Sequence, residues 1–297
     1  LSYLYCLAAI VIWSSLEVTG KLVGAAIDPF TLTAWRFIIG GLILLPLAIR
    51  QNKDSGIHLT KSSILRIGSL GILNVCVSML LLQLAIYYGK ASLCANIISM
   101  NPLFVSIFAA MLIGEPLTQV KSISLIIGIS GLGFIILGEP SLFSNTSPNL
   151  TIGIILALLA SFTFGLFTVL AKKSVHDYGN LTTNSVSFLT GGILLLIFIT
   201  IIGKPVFFVI NITNIAYMCY LGFVITGLSY LLYFEGMKKI GASRASMYFF
   251  LKPALATLLA YIVLNEKMAL WQITGIVLIM IGLGKDLIPK LRKDMNG

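Results

Sequence analysis

Apolar residues fall along this chain in ten runs, at about residues 3–24, 31–49, 64–88, 91–113, 120–138, 150–171, 182–203, 212–234, 243–264 and 270–288, with short polar or charged stretches between them. A run of about 20 residues is long enough to cross a hydrocarbon core of roughly 30 Å as a helix. Lipid offers no water to unpaired backbone groups, so runs of this length predict helices rather than isolated strands. The first run has neither the short apolar core nor the cleavage site of a signal peptide and is expected to belong to the fold. The pattern therefore predicts an all-α integral membrane protein with ten transmembrane helices.

The residues that punctuate the runs recur. At an offset of 151 positions, Lys21 falls on Lys172, Phe37 on Phe188, Gly40-Gly41 on Gly191-Gly192 and Gly71 on Gly222. Ser78 likewise falls on Ser229, Ala91-Ser92 on Ala242-Ser243, Pro102 on Pro253 and Glu115 on Glu266. Residues 1–146 thus predict one five-helix repeat and 147–297 a second. Five is odd, so each copy ends on the face opposite its start and the second must be inverted. That plan is known among secondary transporters, whose substrate sites lie near the midplane between repeats.

Composition agrees on the solvent. Only 10% of the 297 residues are charged, 58% are hydrophobic, and the mean hydropathy is +1.02. Soluble domains carry roughly 25% charged residues, so this chain lacks the polar surface to cover a globule. The net charge of +10 has a direction. With the N-terminus inside, 14 of the 20 Lys and Arg residues fall in inner loops or the C-terminal tail, and Lys21, Lys90, Lys204 and Lys267 fall outside. The bias predicts a multi-pass protein of the inner or plasma membrane with both termini cytoplasmic. Anionic membrane lipid explains the basic excess, and nucleic acid is not expected as a partner.

Little points to bond-making chemistry. Cys6, Cys76, Cys94 and Cys219 lie in apolar runs without paired spacing, and His58 and His176 lie in expected loops. No metal, cofactor or enzymatic activity is expected. With no phosphate-binding loop in the sequence, uphill transport would draw on protons or another coupling ion, or on a substrate gradient.

Polar residues inside the runs are costly and mark candidate sites. Glu17 lies roughly 10 Å below the outer end of its helix at 1.5 Å per residue, with Trp13 one turn away on the same face. The carboxylate and ring together suit an ammonium group, and the carboxylate is also a candidate proton carrier. Lys252 lies roughly 14 Å from the cytoplasmic end of the ninth helix, with Tyr248 one turn before it. It is a candidate for a substrate carboxylate or for pairing with Glu17. Asn101 is the repeat mate of Lys252, and Phe164 of Trp13. Arg36 enters the second helix near its outer end and is assigned a gating or structural role. Pro102 and Pro253, inside helices four and nine, are expected to kink them and expose the carbonyls of Ile98 and Phe249. Glu115 and Glu266 are assigned to helix ends at the outer face.

Each copy carries Pro in the fourth helix, Glu at its end and a Gly-rich fifth helix: Pro102, Gly114-Glu115, Gly128-Ile129-Ser130-Gly131, then Pro253, Asn265-Glu266, Gly282. With Arg36-Phe37 and Gly241-Ala242-Ser243-Arg244-Ala245, the whole chain resembles the EamA family of the drug/metabolite transporter superfamily. The resemblance implies a ten-helix basket around a central cavity and movement of a small metabolite, by a monomer or homodimer. Many relatives have an acidic or neutral residue where this chain has Lys252. The preferred small-molecule substrate is an amino acid or similar zwitterion, with Glu17 for the ammonium and Lys252 for the carboxylate. The alternative is a choline-like amine, organic cation or drug, caged by Trp13, Phe164, Tyr230, Tyr233 and Tyr248. Outside transport, a membrane enzyme or scaffold is the rival reading.

Overall fold

The computed structural model describes residues 2–137, 148–265 and, in the last apolar run, 270–271, 273–278 and 281. All regular structure among the described residues is helical. Among the described residues, eight helices are long and apolar enough to cross a membrane: α1 (Ser2–Gly24), α2 (Pro29–Ser55), α3 (Lys61–Tyr88), α4 (Ala91–Ile113), α6 (Asn149–Tyr178), α7 (Asn180–Ile201), α8 (Ile212–Ile240) and α9 (Ala242–Leu264). Before α6 comes α5 (Gln119–Leu137), with a shorter apolar stretch at Lys121–Phe134. Residues 273–278 of the tenth run are helical. The expected Glu266 marker and most of the C-terminal basic tail lie outside the described residues.

Local chemistry sets the ends. Asp28 caps α2 by accepting from Phe30 N at 2.9 Å, with Pro29 at the first helical position, where its missing N–H costs nothing. Two ends lying 151 positions apart close in the same way: α4 at Gly114 (φ +67°) and α9 at Asn265 (φ 54°), both left-handed.

The helices approach through glycines. In the centre α2 meets α7, with the Phe37 and Phe188 rings 5.0 Å apart. A methyl group on Gly41 would stand 2.8 Å from Leu189 Cγ, and one on Gly192 would stand 2.7 Å from Ile38 Cγ1. On the flanks a methyl group on Gly191 of α7 would stand 2.4 Å from the Gly71 carbonyl oxygen of α3, and one on Gly40 of α2 would stand 3.0 Å from the Gly222 carbonyl oxygen of α8. Lipid gives packed helices no hydrophobic push, so close van der Waals contact of this kind carries the association. Adding 151 to each partner of the Gly40–Gly222 contact, cyclically, returns the Gly191–Gly71 contact.

Several helices break in mid-course. In α1, Ser14 Oγ and Ser15 Oγ donate to the carbonyls of Ile10 (2.7 Å) and Ile12 (2.9 Å), and the helix divides there into Ser2–Trp13 and Leu16–Gly24. α3 and α8 widen into π-helix at Ile72–Met79 and Tyr220–Leu228. There Ser78, Thr226 and Ser229 each donate to the carbonyl five residues earlier. The prolines differ from expectation. α4 breaks at Ser99–Met100 and α9 tightens to a 3₁₀ turn at Tyr248–Leu251, so Pro102 and Pro253 fall in the first turn of a new helical segment. They do not kink a continuous helix, and no backbone bond is lost at a first-turn proline. The carbonyl of Ile98 accepts from Ser161 Oγ at 3.3 Å.

Candidate functional site

The broken middles of α1 and α9 lie side by side. Glu17 is in the first turn of Leu16–Gly24, where the helix dipole favours a carboxylate, and Lys252 opens the segment Lys252–Leu264. Their side chains are 0% and 2% exposed, with Lys252 Nζ 2.5 Å from Glu17 Oε1. Lys252 donates, and Glu17 Oε2 has no partner.

Lys252 of this pair lines a narrow cavity together with Trp13, Leu16, Arg36, Phe164, Ile225, Tyr230 and Phe249. It is narrow enough to hold little more than a single water. Trp13 is its hub. The indole Nε1 donates to the carbonyl of Ile225 at 2.9 Å, in the π-helical part of α8. Its ring lies 4.9 Å from Tyr230, 5.1 Å from Tyr233, 5.6 Å from Phe249 and 6.1 Å from Phe164.

Other candidates take different places. Tyr233 is buried behind Trp13 rather than on the cavity wall, and Tyr248 is buried while Phe249 faces the cavity. The cause is the 3₁₀ turn: it eclipses residues three apart, so Phe249 rather than Tyr248 shares the side of Lys252. Asn101 is buried but donates to the Ser161 carbonyl of α6 at 3.4 Å and does not line the cavity. Pro102 and Pro253 are buried supports beneath these turns.

Arg36 is deeper than its sequence position implied. α2 begins at Pro29, and the loop after α7 lies over its N-terminal end, where Trp35 Nε1 donates to Val206 O at 2.8 Å, Thr31 bonds the Pro205 carbonyl, and Lys204 pairs with Asp28 at 3.0 Å. Arg36 is 2% exposed, stacks on Phe37 with Cζ 4.9 Å from the ring centroid, and its Nε and Nη2 have no partner. Asn74, which accepts from the Tyr230 hydroxyl at 3.3 Å, also has an unpartnered Nδ2. Sequence reasoning missed Asn74 and Phe249. A polar residue in the middle of the third apolar run was the available signal for Asn74.

Glu115 is corrected from the outer face. It accepts from Lys172 Nζ (2.5 Å), Ala242 N (2.9 Å) and Ser243 N (3.1 Å), tying the ends of α4 and α6 to the start of α9. These partners belong to the loops that the basic bias assigns to the cytoplasm. With the N-terminus inside, as that bias predicts, a chain is back inside after four crossings, which puts Glu115 on the inner face and not the outer one expected for it. Burial would raise this carboxyl, but Lys172 and the two backbone donors outweigh it and hold it at about 2.

Comparison with known proteins gives a consistent relationship. The model of the EamA-like transporter family matches residues 1–137 and 151–284. An uncharacterized transporter of Clostridium kluyveri is 34% identical over 282 residues, covering 94% of this chain and 91% of that protein. The uncharacterized transporter YyaM of Bacillus subtilis is 24% identical, with 89% and 87% covered, and Protein PecM of Dickeya dadantii is 26% identical, with 72% and 70% covered. A solved crystal structure superposes with a TM-score of 0.75 at 20% identity, covering 98% of each chain, which shows a shared fold. With eight apolar helices of membrane-crossing length and both stretches of the family model matched, this multi-pass membrane protein belongs to the EamA-like transporter family.

Proposed function

We propose that the chain is a secondary-active transporter of a small polar metabolite, an amino acid or similar zwitterion, working by alternating access around the Trp13–Lys252 cavity. The observation that carries this reading is the buried Glu17–Lys252 pair, whose Lys252 lines that cavity. Two opposite charges beside a cavity that closes around them can meet the two charges of a zwitterion without water. The architecture in this reading is ten helices in two inverted five-helix repeats, 1–146 and 147–297. Its support is the family model matching in two stretches and the glycine contacts that recur with partners exchanged. Both termini are cytoplasmic in the cell membrane, in keeping with the distribution of Lys and Arg.

A second reading is favoured by the aromatic walls. Trp13, Phe164, Tyr230 and Phe249 offer ring faces to an organic cation. Lys252 and Arg36 on the same cavity oppose it by like charge.

The test is uptake by purified protein in liposomes, with amino acids, quaternary amines and nucleosides supplied with and without a proton gradient. Amino-acid uptake that is lost in Lys252→Ala supports the reading. Uptake of amines alone, or amino-acid uptake unchanged in that variant, overturns it.

A further inference from the structure

The cavity carries more positive than negative charge. The buried ionisable side chains that line it are Arg36, Lys252 and the Tyr230 phenol, and Lys252, with Glu17 buried against it, is already satisfied. Arg36 is not. Its unpartnered atoms are Nε and Nη2, the two nitrogens on one edge of the guanidinium plane. Side by side, their N–H bonds form the fork that matches the two oxygens of a carboxylate. One face of the guanidinium is taken by the Phe37 ring, which leaves the edge for a ligand. Burial of a cation this complete is costly without an anion, and Glu17 cannot neutralise two.

We infer that Arg36 is the carboxylate anchor of the transport site, binding the substrate through a two-bond fork while the Glu17–Lys252 pair stays closed. This rests on the transporter reading above and reassigns the carboxylate from Lys252 to Arg36. It also assigns the second orphan. Glu17 Oε2, the acceptor that Lys252 leaves unused, takes the ammonium of a zwitterion or a hydroxyl at the same position. The substrate class is a small monocarboxylate with a donor group near the carboxyl. Lys252 then acts through Glu17, holding its carboxylate in place.

The experiment measures ligand-induced thermal stabilisation of the purified full-length protein. The ligands are alanine, leucine and phenylalanine, each with its methyl ester, its 2-hydroxy acid and its decarboxylated amine. The wild type should be stabilised by carboxylates and not by the matching esters or amines. Arg36→Lys keeps the charge and loses the fork, and should weaken carboxylate binding roughly ten- to a hundredfold, the worth of hydrogen bonds to a charged group. Esters that bind as well as acids, or no shift with any carboxylate, overturn the inference. Both of these results come from the wild type, so they stand even if the variant does not fold. Amino acids that bind wild type and Arg36→Lys equally overturn the Arg36 assignment and leave the zwitterion reading intact. Hydroxy acids that bind through Arg36 while amino acids do not uphold the assignment and overturn the zwitterion reading.

Discussion

Replacing Lys252 with Met removes the partner 2.5 Å from Glu17 and leaves a carboxylate with 0% exposure facing apolar walls. Breaking a buried pair from one side costs about 3–5 kcal/mol, because the remaining charge is neither paired nor solvated. Arg36 also acts on the Glu17 charge, which places the expected cost at the lower end, about 3 kcal/mol. For a chain of this size each kcal/mol moves the melting temperature by about 2–4 °C, so the variant should melt roughly 6–12 °C below wild type. Removing both charges should be gentler: in Glu17→Gln/Lys252→Met nothing ionised is stranded, and most of the loss should return. Unfolding followed by tryptophan fluorescence suits the question, since Trp13 stands beside the pair in the same cavity. The same proteins, reconstituted into liposomes, should show no uptake in either single variant or in the double variant. A single variant that melts with wild type refutes the desolvation argument. A double variant that transports like wild type refutes any role for the pair in transport.

Helix packing makes a second prediction. Methyl groups at Gly71 and Gly191 would stand 2.1 Å and 2.4 Å from backbone oxygens of the facing helix, so Gly71→Ala and Gly191→Ala should each destabilise by about 1–3 kcal/mol. Gly133→Ala, which meets nothing within 4 Å, should melt with wild type; equal losses at all three positions would refute the packing argument. The Glu115 carboxyl supplies a third. Held at about 2 against an ordinary 4.5, it contributes up to about 3 kcal/mol above the unfolded value, and the contribution is lost as pH falls from 4.5 through 2. The melting difference between wild type and Glu115→Gln should therefore be constant near pH 7 and shrink below pH 4.5. A difference that holds its size down to pH 3 overturns that assignment.

The spans were legible because lipid imposes length and composition on them, and both are read directly from residues such as those of 91–113, which is helical over Ala91–Ile113. The interruptions were less legible. Pro102 and Pro253 mark the right turns, but whether a proline kinks a helix or opens a new segment depends on the residues before it. Here Ser99 bonds back to Ala95 at 2.7 Å, and the Tyr248 turn tightens to 3₁₀. That tightening moved the aromatic neighbour of Lys252 from Tyr248 to Phe249, a shift that a uniform helical period cannot express. Depth along a helix brought Glu17 and Lys252 to similar levels but could not say that they touch. Arg36 was misjudged for a related reason. Counting residues from a helix end assumes that the end meets solvent, whereas Trp35 and Thr31 are held under the Val206 and Pro205 carbonyls.

The three buried charges gain meaning from the residues 151 positions away. Thr168 stands opposite Glu17, Ser187 opposite Arg36 and Asn101 opposite Lys252. Each of these neutral mates donates to a backbone carbonyl: Thr168 to Phe164 at 2.8 Å, Ser187 to Asn184 at 3.2 Å and Asn101 to Ser161 at 3.4 Å. The donor groups of these mates are satisfied by their own or a neighbouring helix, while the Asn101 Oδ1 acceptor is left without a partner. The charged set differs in its donors, for Arg36 keeps two unpaired N–H groups. Positions that must pack, such as Gly40 and Gly191 or Gly71 and Gly222, are alike in the two halves, because any side chain there would crowd the facing helix. Positions that need only fill a helix interior have diverged toward charge on one flank. In the transport reading proposed above, a two-sided scaffold with a one-sided polar cavity would present the same charged wall to either opening, so that recognition would need one set of contacts while the packing surfaces around it exchange.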